Sequence, residues 1–467
     1  MTADSVLRAL AAACPASRPA GPADAVAGVT PRFAASPATV AEASALLRAA
    51  AEHDLTVVPR GGGSKLDWAA PPRRCDLVVH TTGLDQVVEH ASGDLVASVQ
   101  AGVTLRRLGE VLAGAGQELA LDPPPRLGPP AGAGADGRGP DGTALNGQGD
   151  GGYPAGATVG GTLATGAAGP RRLRYGTPRD LVIGVTVVRA DGRVARSGGK
   201  VVKNVAGYDL GKLFTGSFGT LGLIVEAVFR LHPRPAAAAY VTLDCAGADD
   251  AHRAVAAAAG SVLAPSAIEI DRPARGWPVS VGVLLEGDPA GVGERAALMC
   301  ALLGAGTDAH PARPPWWGWA GGGEGTLIRV AFWAAALHRI LAVIDGAAEA
   351  AGLDPAVGGS AAAGVIYAGT GPDTDPAAVA AFVAGLRAAL ARGEGDASPV
   401  AGPGKGEGEV GGGPPVLASA VVVRAPAAVR DLVDPWGPVP SLPLMRAVKD
   451  QFDPGHRMAP GRFAGGI

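Results

Sequence analysis

Three consecutive glycines, Gly61-Gly62-Gly63, follow directly on an apolar, β-rich run, Leu55-Thr56-Val57-Val58. A stretch without any Cβ permits positive φ and lets a ligand approach the main chain closely. Its successive N–H groups can form a concave anion site. Ser64 adds a hydroxyl donor, and Arg60 and Lys65 add positive charge. Such a loop suits a pyrophosphate. In a chain with 72 glycines a mobile surface loop is the alternative. Three more glycine-rich stretches, at 160–166, 198–208 and 216–222, each stand beside strand-like sequence. Together the four imply one large ligand running over several loops.

The ligand is not held in the usual nucleotide-binding ways. The triplet lacks the GxGxxG order, no acidic residue closes the next strand, and no GxxxxGK[ST] is present. A net charge of −3 offers nothing to nucleic acid or an anionic membrane. Cys14, Cys75, Cys245 and Cys300 lie far apart, so an iron–sulfur cluster or structural zinc held by this chain is not expected. The eight histidines form no HxxH or HExxH pair, and no metal is assigned. No uncharged apolar run reaches membrane-spanning length, and residues 1–22 read as a short amphipathic helix, not a signal peptide.

Along the chain, a helix is expected from a Ser36 cap to Ala51, strands over 76–80 and 95–99, and a helix from Thr104 to Gly114. Asp191-Gly192 turns a hairpin between 182–189 and 194–197, and 220–231 is a long strand. Residues 125–154 and 393–415 are too poor in apolar side chains to bury a core and are expected to be disordered. Beyond Pro233 strands and helices follow in β-α-β-β-α order, an α+β domain of the ferredoxin-like kind. The expected organisation is an N-terminal helix and linker (1–30), a ligand-binding domain (31–235), an α+β cap (236–440), and a C-terminal helix and tail returning to the first domain (441–467).

Specific motifs carry a resemblance. Residues 160–172 read Gly-Gly-Thr-Leu-Ala-Thr-Gly-Ala-Ala-Gly-Pro-Arg-Arg, with Tyr175-Gly176 and Arg179-Asp180 beyond; 200–210 read Lys-Val-Val-Lys-Asn-Val-Ala-Gly-Tyr-Asp-Leu; 216–222 read Gly-Ser-Phe-Gly-Thr-Leu-Gly. This series resembles the vanillyl-alcohol-oxidase/p-cresol-methylhydroxylase flavoproteins. The 203–209 run, the strand Leu327-Ile328-Arg329-Val330 and the ending Phe452-Asp453-Pro454…Pro460-Gly461-Arg462 look most like the smaller FAD-binding subunit of bacterial glycolate oxidase. The resemblance covers about 31–463 apart from the two low-complexity stretches.

It implies a two-subdomain FAD-binding domain of the PCMH type with an α+β cap. Arg60, Gly61, Gly62, Gly63, Ser64 and Lys65 would hold the pyrophosphate. Asp122, Pro123, Gly160, Gly161, Thr162, Ala164, Thr165 and Gly166 would line the ribityl chain and isoalloxazine. Arg179, Asp180, Gly219, Leu221, Gly222 and Ile224 would pack against the rest of the cofactor. Members with covalent flavin often carry His just after the glycine loop; Lys65 stands there, so non-covalent FAD is expected. Ala459 replaces an Asn common in the family ending and removes a side-chain hydrogen bond.

Oxidising a 2-hydroxy acid needs a cation for the carboxylate, a base for the hydroxyl proton and a hydride acceptor. Arg329, on an apolar strand, either grips the carboxylate or is a strand-surface arginine. Tyr208 and Lys203 flank a glycine corner and serve either chemistry or packing. Trp316, Trp317 and Trp319 form either a packed cap loop or a lid or docking patch. Three functions follow. The first is the FAD subunit of a glycolate oxidase/dehydrogenase complex, passing electrons to a larger flavin subunit and an iron–sulfur subunit, in the cytoplasm or peripheral at the inner membrane face through those partners. The others are a stand-alone D-lactate-type dehydrogenase and a non-catalytic flavin or electron-relay subunit.

Overall fold

The computed structural model describes residues 2–124, 156–199, 209–318, 324–393 and 418–467. The low-complexity stretches at about 125–154 and 393–415 lie outside the described residues, apart from Gly393. Two compact units are present: residues 1–171, 175–234 and 438–467 form the first, and 172–174 with 235–437 the second.

The first unit is built on two sheets. A mixed sheet runs Ser17–Pro19, Phe33–Ala35, Leu77–His80, Val57–Arg60, its last three strands parallel. Thr56 and Asp76 set where that sheet starts: the Asp76 carboxylate accepts from the Thr56 amide at 2.9 Å and from its hydroxyl at 2.8 Å. The helix Val40–Glu52 covers it. Ala43, Leu46, Leu47 and Ala50 recur at helical spacing and are buried, each leucine contributing about 2 kcal/mol. Its cap is Thr39, whose hydroxyl accepts from the Glu42 amide at 3.1 Å, not the expected Ser36. A five-stranded antiparallel sheet runs Val87–Ala91, Val96–Gln100, Leu223–Arg230, Val182–Val188, Val194–Gly198. Its last pair is the hairpin expected around Asp191-Gly192. The helix Leu105–Ala113 starts at the expected Thr104 cap and ends at Gly114.

One glycine stretch is not a loop. Val159–Thr165 is a helix, capped by Thr158 and ended by Gly166 at φ +61°. Glycine disfavours helix by about 1 kcal/mol per residue. Here it is required: a Cβ on Gly160 would lie 2.6 Å from that of Ala101.

The C-terminal segment closes the first unit. The Val57 amide donates to the Arg457 carbonyl, and the Ala459 amide to Val57, both at 2.8 Å, so the tail extends the sheet beyond Val57–Arg60. Lys449, 1% exposed, fixes this arrangement. Its ammonium donates to Asp453 at 2.6 Å, to the Thr220 carbonyl at 2.7 Å and to the Met458 carbonyl at 2.9 Å. Asp453 also accepts from the amides of Arg457 and Met458. Ala459, where the family often has Asn, sits at φ +42° with no exposed surface.

The second unit is one antiparallel sheet of eight strands in the order Asp308–His310, Ala237–Cys245, Val279–Gly287, Ala267–Arg272, Ala356–Ser360, Val365–Gly369, Leu327–Ala331, Ser419–Arg424. Two β-α-β-β-α repeats meet where Ala267–Arg272 pairs with Ala356–Ser360. The helices Ala248–Ala259, Pro289–Leu303, Leu337–Ala350 and Pro376–Arg392 share one core with alternate strand residues such as Ile270, Val281, Val330 and Ile366. This is the expected α+β layer: alternate residues of each strand and one stripe of each helix meet in that core, and the central strands Ala267–Arg272 and Val279–Gly287 are buried on their other face as well.

Breaking a buried ion pair by removing one partner is costly. Lys449→Met is expected to lower the unfolding free energy by about 3 kcal/mol, read by urea denaturation, because Asp453 has no exposed surface and loses its ammonium partner. An unchanged midpoint would show that the clamp is not structural.

Candidate functional site

A cleft in the first unit is lined by Pro59, Gly61, Gly62, Gly63, Ser64, Lys65, Leu66, Thr158, Gly161, Thr162, Ala164, Thr165, Phe218, Gly219 and Arg462. It encloses about 590 Å³ of non-atom space, open solvent included. The floor is main chain in close approach. A Cβ on Gly62 would fall 1.7 Å from the Gly156 carbonyl oxygen, and one on Gly61 2.3 Å from the Thr158 hydroxyl. Gly63 adopts φ +78°. Only glycine permits this contact between the 61–63 loop and the 156–162 segment.

Two buried cations face the cleft. Lys65 is 9% exposed and donates to the Pro124 carbonyl at 3.1 Å, with its ammonium 5.2 Å from the centre of the Trp68 ring. Burial pulls its pKa down to about 8, against an opposing pull from Asp67. Arg462 is 4% exposed; one amino group donates to the carbonyls of Leu66 (3.1 Å) and Trp68 (2.9 Å). Its Nη1 is buried with no hydrogen-bond partner among the described residues. Burial lowers this guanidinium to about 10. Two desolvated cations and an orphaned donor in one cleft fit an anion with several acceptor oxygens.

Of the residues expected to hold FAD, Gly61, Gly62, Gly63, Ser64, Lys65, Gly161, Thr162, Ala164, Thr165 and Gly219 line this cleft together. The others do different work. Arg60 turns away and donates to the Ala23 carbonyl at 2.6 Å. Asp122 accepts from the Arg171 amide at 2.9 Å, tying the Pro123-Pro124 turn to residues 169–171. Gly160 packs on Ala101, and Gly166 ends its helix. Asp180 accepts from the amide and hydroxyl of Thr177 at 2.8 and 2.7 Å and is exposed, as is Arg179. Leu221 and Ile224 belong to the core under the five-stranded sheet, and Gly222 sits against the Val188 carbonyl. Arg329 is exposed on the second unit's sheet. Lys203, Tyr208 and Trp319 lie outside the described residues. Trp316 and Trp317 pack over Gly282, where a Cβ would meet both rings.

Thr158, Leu66, Phe218 and Arg462 were not singled out as site residues. Arg462 was within reach of sequence reasoning, because Pro460-Gly461-Arg462 is part of the motif ending; a lone arginine almost 400 positions downstream gives no sign that its side chain is buried.

With this geometry in view, the comparisons with known proteins are informative. A family model described as FAD binding domain matches residues 31–135 and 146–198. The chain is 36% identical over 200 residues to glycolate oxidase subunit GlcD of Bacillus subtilis, covering 43% of this chain and 36% of that one. It is 34% identical over 233 residues to D-lactate dehydrogenase of Archaeoglobus fulgidus (50% and 46%), and 35% identical over 151 residues to glycolate oxidase subunit GlcE of Escherichia coli (32% and 35%). The matching segments thus span less than half of these relatives. Among solved structures, p-cresol methylhydroxylase with substrate bound superposes with a TM-score of 0.67 at 15% identity, over 98% of this chain and 96% of that one. The chain therefore carries an FAD-binding domain. Its fold is that of p-cresol methylhydroxylase.

The residues fit the cofactor. The glycine floor, Ser64 and the buried cations suit the pyrophosphate, and the opposite wall of Thr162, Ala164, Thr165 and Phe218 suits its less charged portions. When bound, FAD supplies a two-electron acceptor.

Gly62→Ala is expected to abolish FAD retention through its backbone clash, measured as flavin absorbance per protein after gel filtration. Titration of Lys65 gives a second prediction. Its folded pKa lies below its unfolded one, so the cofactor-free protein gains stability as pH rises through about 8. A bound anion favours the protonated form, so FAD affinity should weaken above about pH 8, by up to tenfold per pH unit. Fluorescence titration from pH 7 to 9.5 checks this, and Lys65→Arg should flatten the profile.

Proposed function

We propose that the chain is an FAD-linked oxidoreductase of 2-hydroxy acids, holding its flavin non-covalently. The observation that carries this reading is the cleft itself: a glycine floor and buried Lys65 on residues matched by the FAD-binding domain, with buried Arg462 supplied by the C-terminal segment. Similarity to glycolate oxidase subunits and to a D-lactate dehydrogenase supports a CH–OH substrate. Lys65 at the end of the glycine loop supports non-covalent attachment, since a buried lysine donating to Pro124 is committed to the cleft wall.

Within that class we favour the role of a glycolate oxidase/dehydrogenase subunit, producing glyoxylate and passing electrons to a larger flavin subunit and an iron–sulfur subunit. Likeness to GlcD and GlcE supports it. Among the described residues no group of three or more His, Cys, Asp or Glu side chains is placed to hold a metal. Among them, too, no helix is long and apolar enough to cross a membrane, and contact with a membrane through partners remains part of the proposal. Likeness to an archaeal D-lactate dehydrogenase supports the second reading, a dehydrogenase acting alone.

In the FAD-loaded chain, anaerobic addition of substrate is expected to bleach the visible absorbance of the oxidised flavin. Bleaching by glycolate supports the first reading, and bleaching by D-lactate alone supports the second. A loaded flavin that no 2-hydroxy acid bleaches, with or without partner subunits, would defeat both.

A further inference from the structure

A short N-terminal strap is tied to the glycine loop. Residues 20–24 reach across the carboxyl ends of two parallel strands, Leu77–His80 and Val57–Arg60, whose last residues His80 and Arg60 pair with each other. The centre of the strap is Asp24, 3% exposed. Arg18 donates to both of its oxygens, at 2.7 and 2.8 Å. The Gly21 amide donates at 2.8 Å, and His80 Nε2 lies at 2.9 Å. A carboxylate only accepts, so His80 carries a proton on Nε2. The Arg18 hydrogen bonds hold the Asp24 carboxyl well below the ordinary carboxylate range. The bond to Gly21 closes Pro22–Asp24 into a single tight turn. Within that turn the Ala23 carbonyl accepts from Arg60 at 2.6 Å.

Arg60 is the last residue of its strand and stands directly before the three glycines. It is not among the residues that line the cleft. Its guanidinium touches the loop instead: a Cβ on Gly63 would lie 3.4 Å from Nη2 and 3.5 Å from Nε. Gly63 is the residue of the triplet at φ +78°. A side chain in contact with the turning residue limits the conformations open to the loop. Its charge also raises the potential at the loop N–H groups, which favours an anion there. One chain of contacts thus runs from the Asp24 carboxylate through the Ala23 carbonyl and Arg60 to Gly63.

We propose that Asp24 is a positioning residue for the cofactor: by shaping the 21–24 turn it holds Arg60 against Gly63, and so sets the glycine loop for the FAD pyrophosphate. The proposal rests on FAD binding at this cleft and is independent of which substrate the flavin oxidises.

The test is a double-mutant cycle on the full chain. The readout is the FAD dissociation constant of the cofactor-free protein, from fluorescence titration, with urea midpoints measured alongside. Arg60→Met is expected to weaken FAD binding about tenfold, as for one lost interaction with a charged group. Asp24→Asn is expected to weaken it by about the same factor. Because Asp24 acts through Arg60, adding Asp24→Asn to Arg60→Met should cost no further affinity, whereas independent effects would multiply to about a hundredfold. Arg60→Lys keeps the charge and a donor for Ala23, and should bind within about threefold of wild type. Should Asp24→Asn not fold, Arg18→Gln replaces it in the cycle: that side chain is 54% exposed. Its loss is expected to weaken FAD binding about threefold, again only while Arg60 is present. Multiplying effects, or wild-type FAD affinity in the single variants, would overturn the proposal. Wild-type protein that binds no FAD would strike the cofactor site itself and this proposal with it. Failure of 2-hydroxy acids to bleach the flavin would strike only the catalytic reading.

Discussion

Two buried cations, Lys65 and Arg462, line one cleft, and this electrostatic load shapes the first unit. Each is desolvated, as their depressed pKa values record. Main-chain carbonyls compensate them: Pro124 for Lys65, Leu66 and Trp68 for Arg462. Carbonyl dipoles soften the cost without cancelling the charge. A chain that maintains such a site keeps it for an anion. The glycine floor answers the same need, because it exposes N–H groups where side chains would otherwise stand.

A second buried charge set supports the first. Lys449 and Asp453 are spent on structure: they tie the Thr220 turn to the C-terminal segment, and that segment brings Arg462 to the cleft. The two arrangements differ in kind. Lys449 has a carboxylate and two carbonyls, whereas Arg462 keeps one donor unmatched among the described residues. Satisfied buried charge marks a fastening, and unsatisfied buried charge marks a place for a ligand.

Much of this was legible before any coordinates. The Gly61–Gly63 floor was, because three further glycine-rich stretches beside strand-like sequence turned an ambiguous triplet into part of an extended ligand site. The Thr104-to-Gly114 helix and the Asp191-Gly192 hairpin were, because caps and turn residues act locally. The helix at Val159–Thr165 was not: two glycines weigh against helix, and only the distant Ala101 explains them. Arg60 was legible as a cation but not as one turned toward Ala23. Asp180 carries a motif position, yet its carboxylate is occupied in capping Thr177.

The tail's place in the sheet has a consequence for how the protein is made. The Arg462 contact to the glycine-loop region joins residues 396 positions apart, and the Val57 pairing with Arg457 and Ala459 spans about the same distance. Contacts so remote in sequence form late, because a long loop must close before they repay its entropy. During synthesis the glycine loop emerges early and waits, with its sheet edge bare, for nearly the whole chain to follow. The cofactor site is therefore completed only after translation has passed Arg462, and flavin enters a protein whose second unit has already had the opportunity to fold.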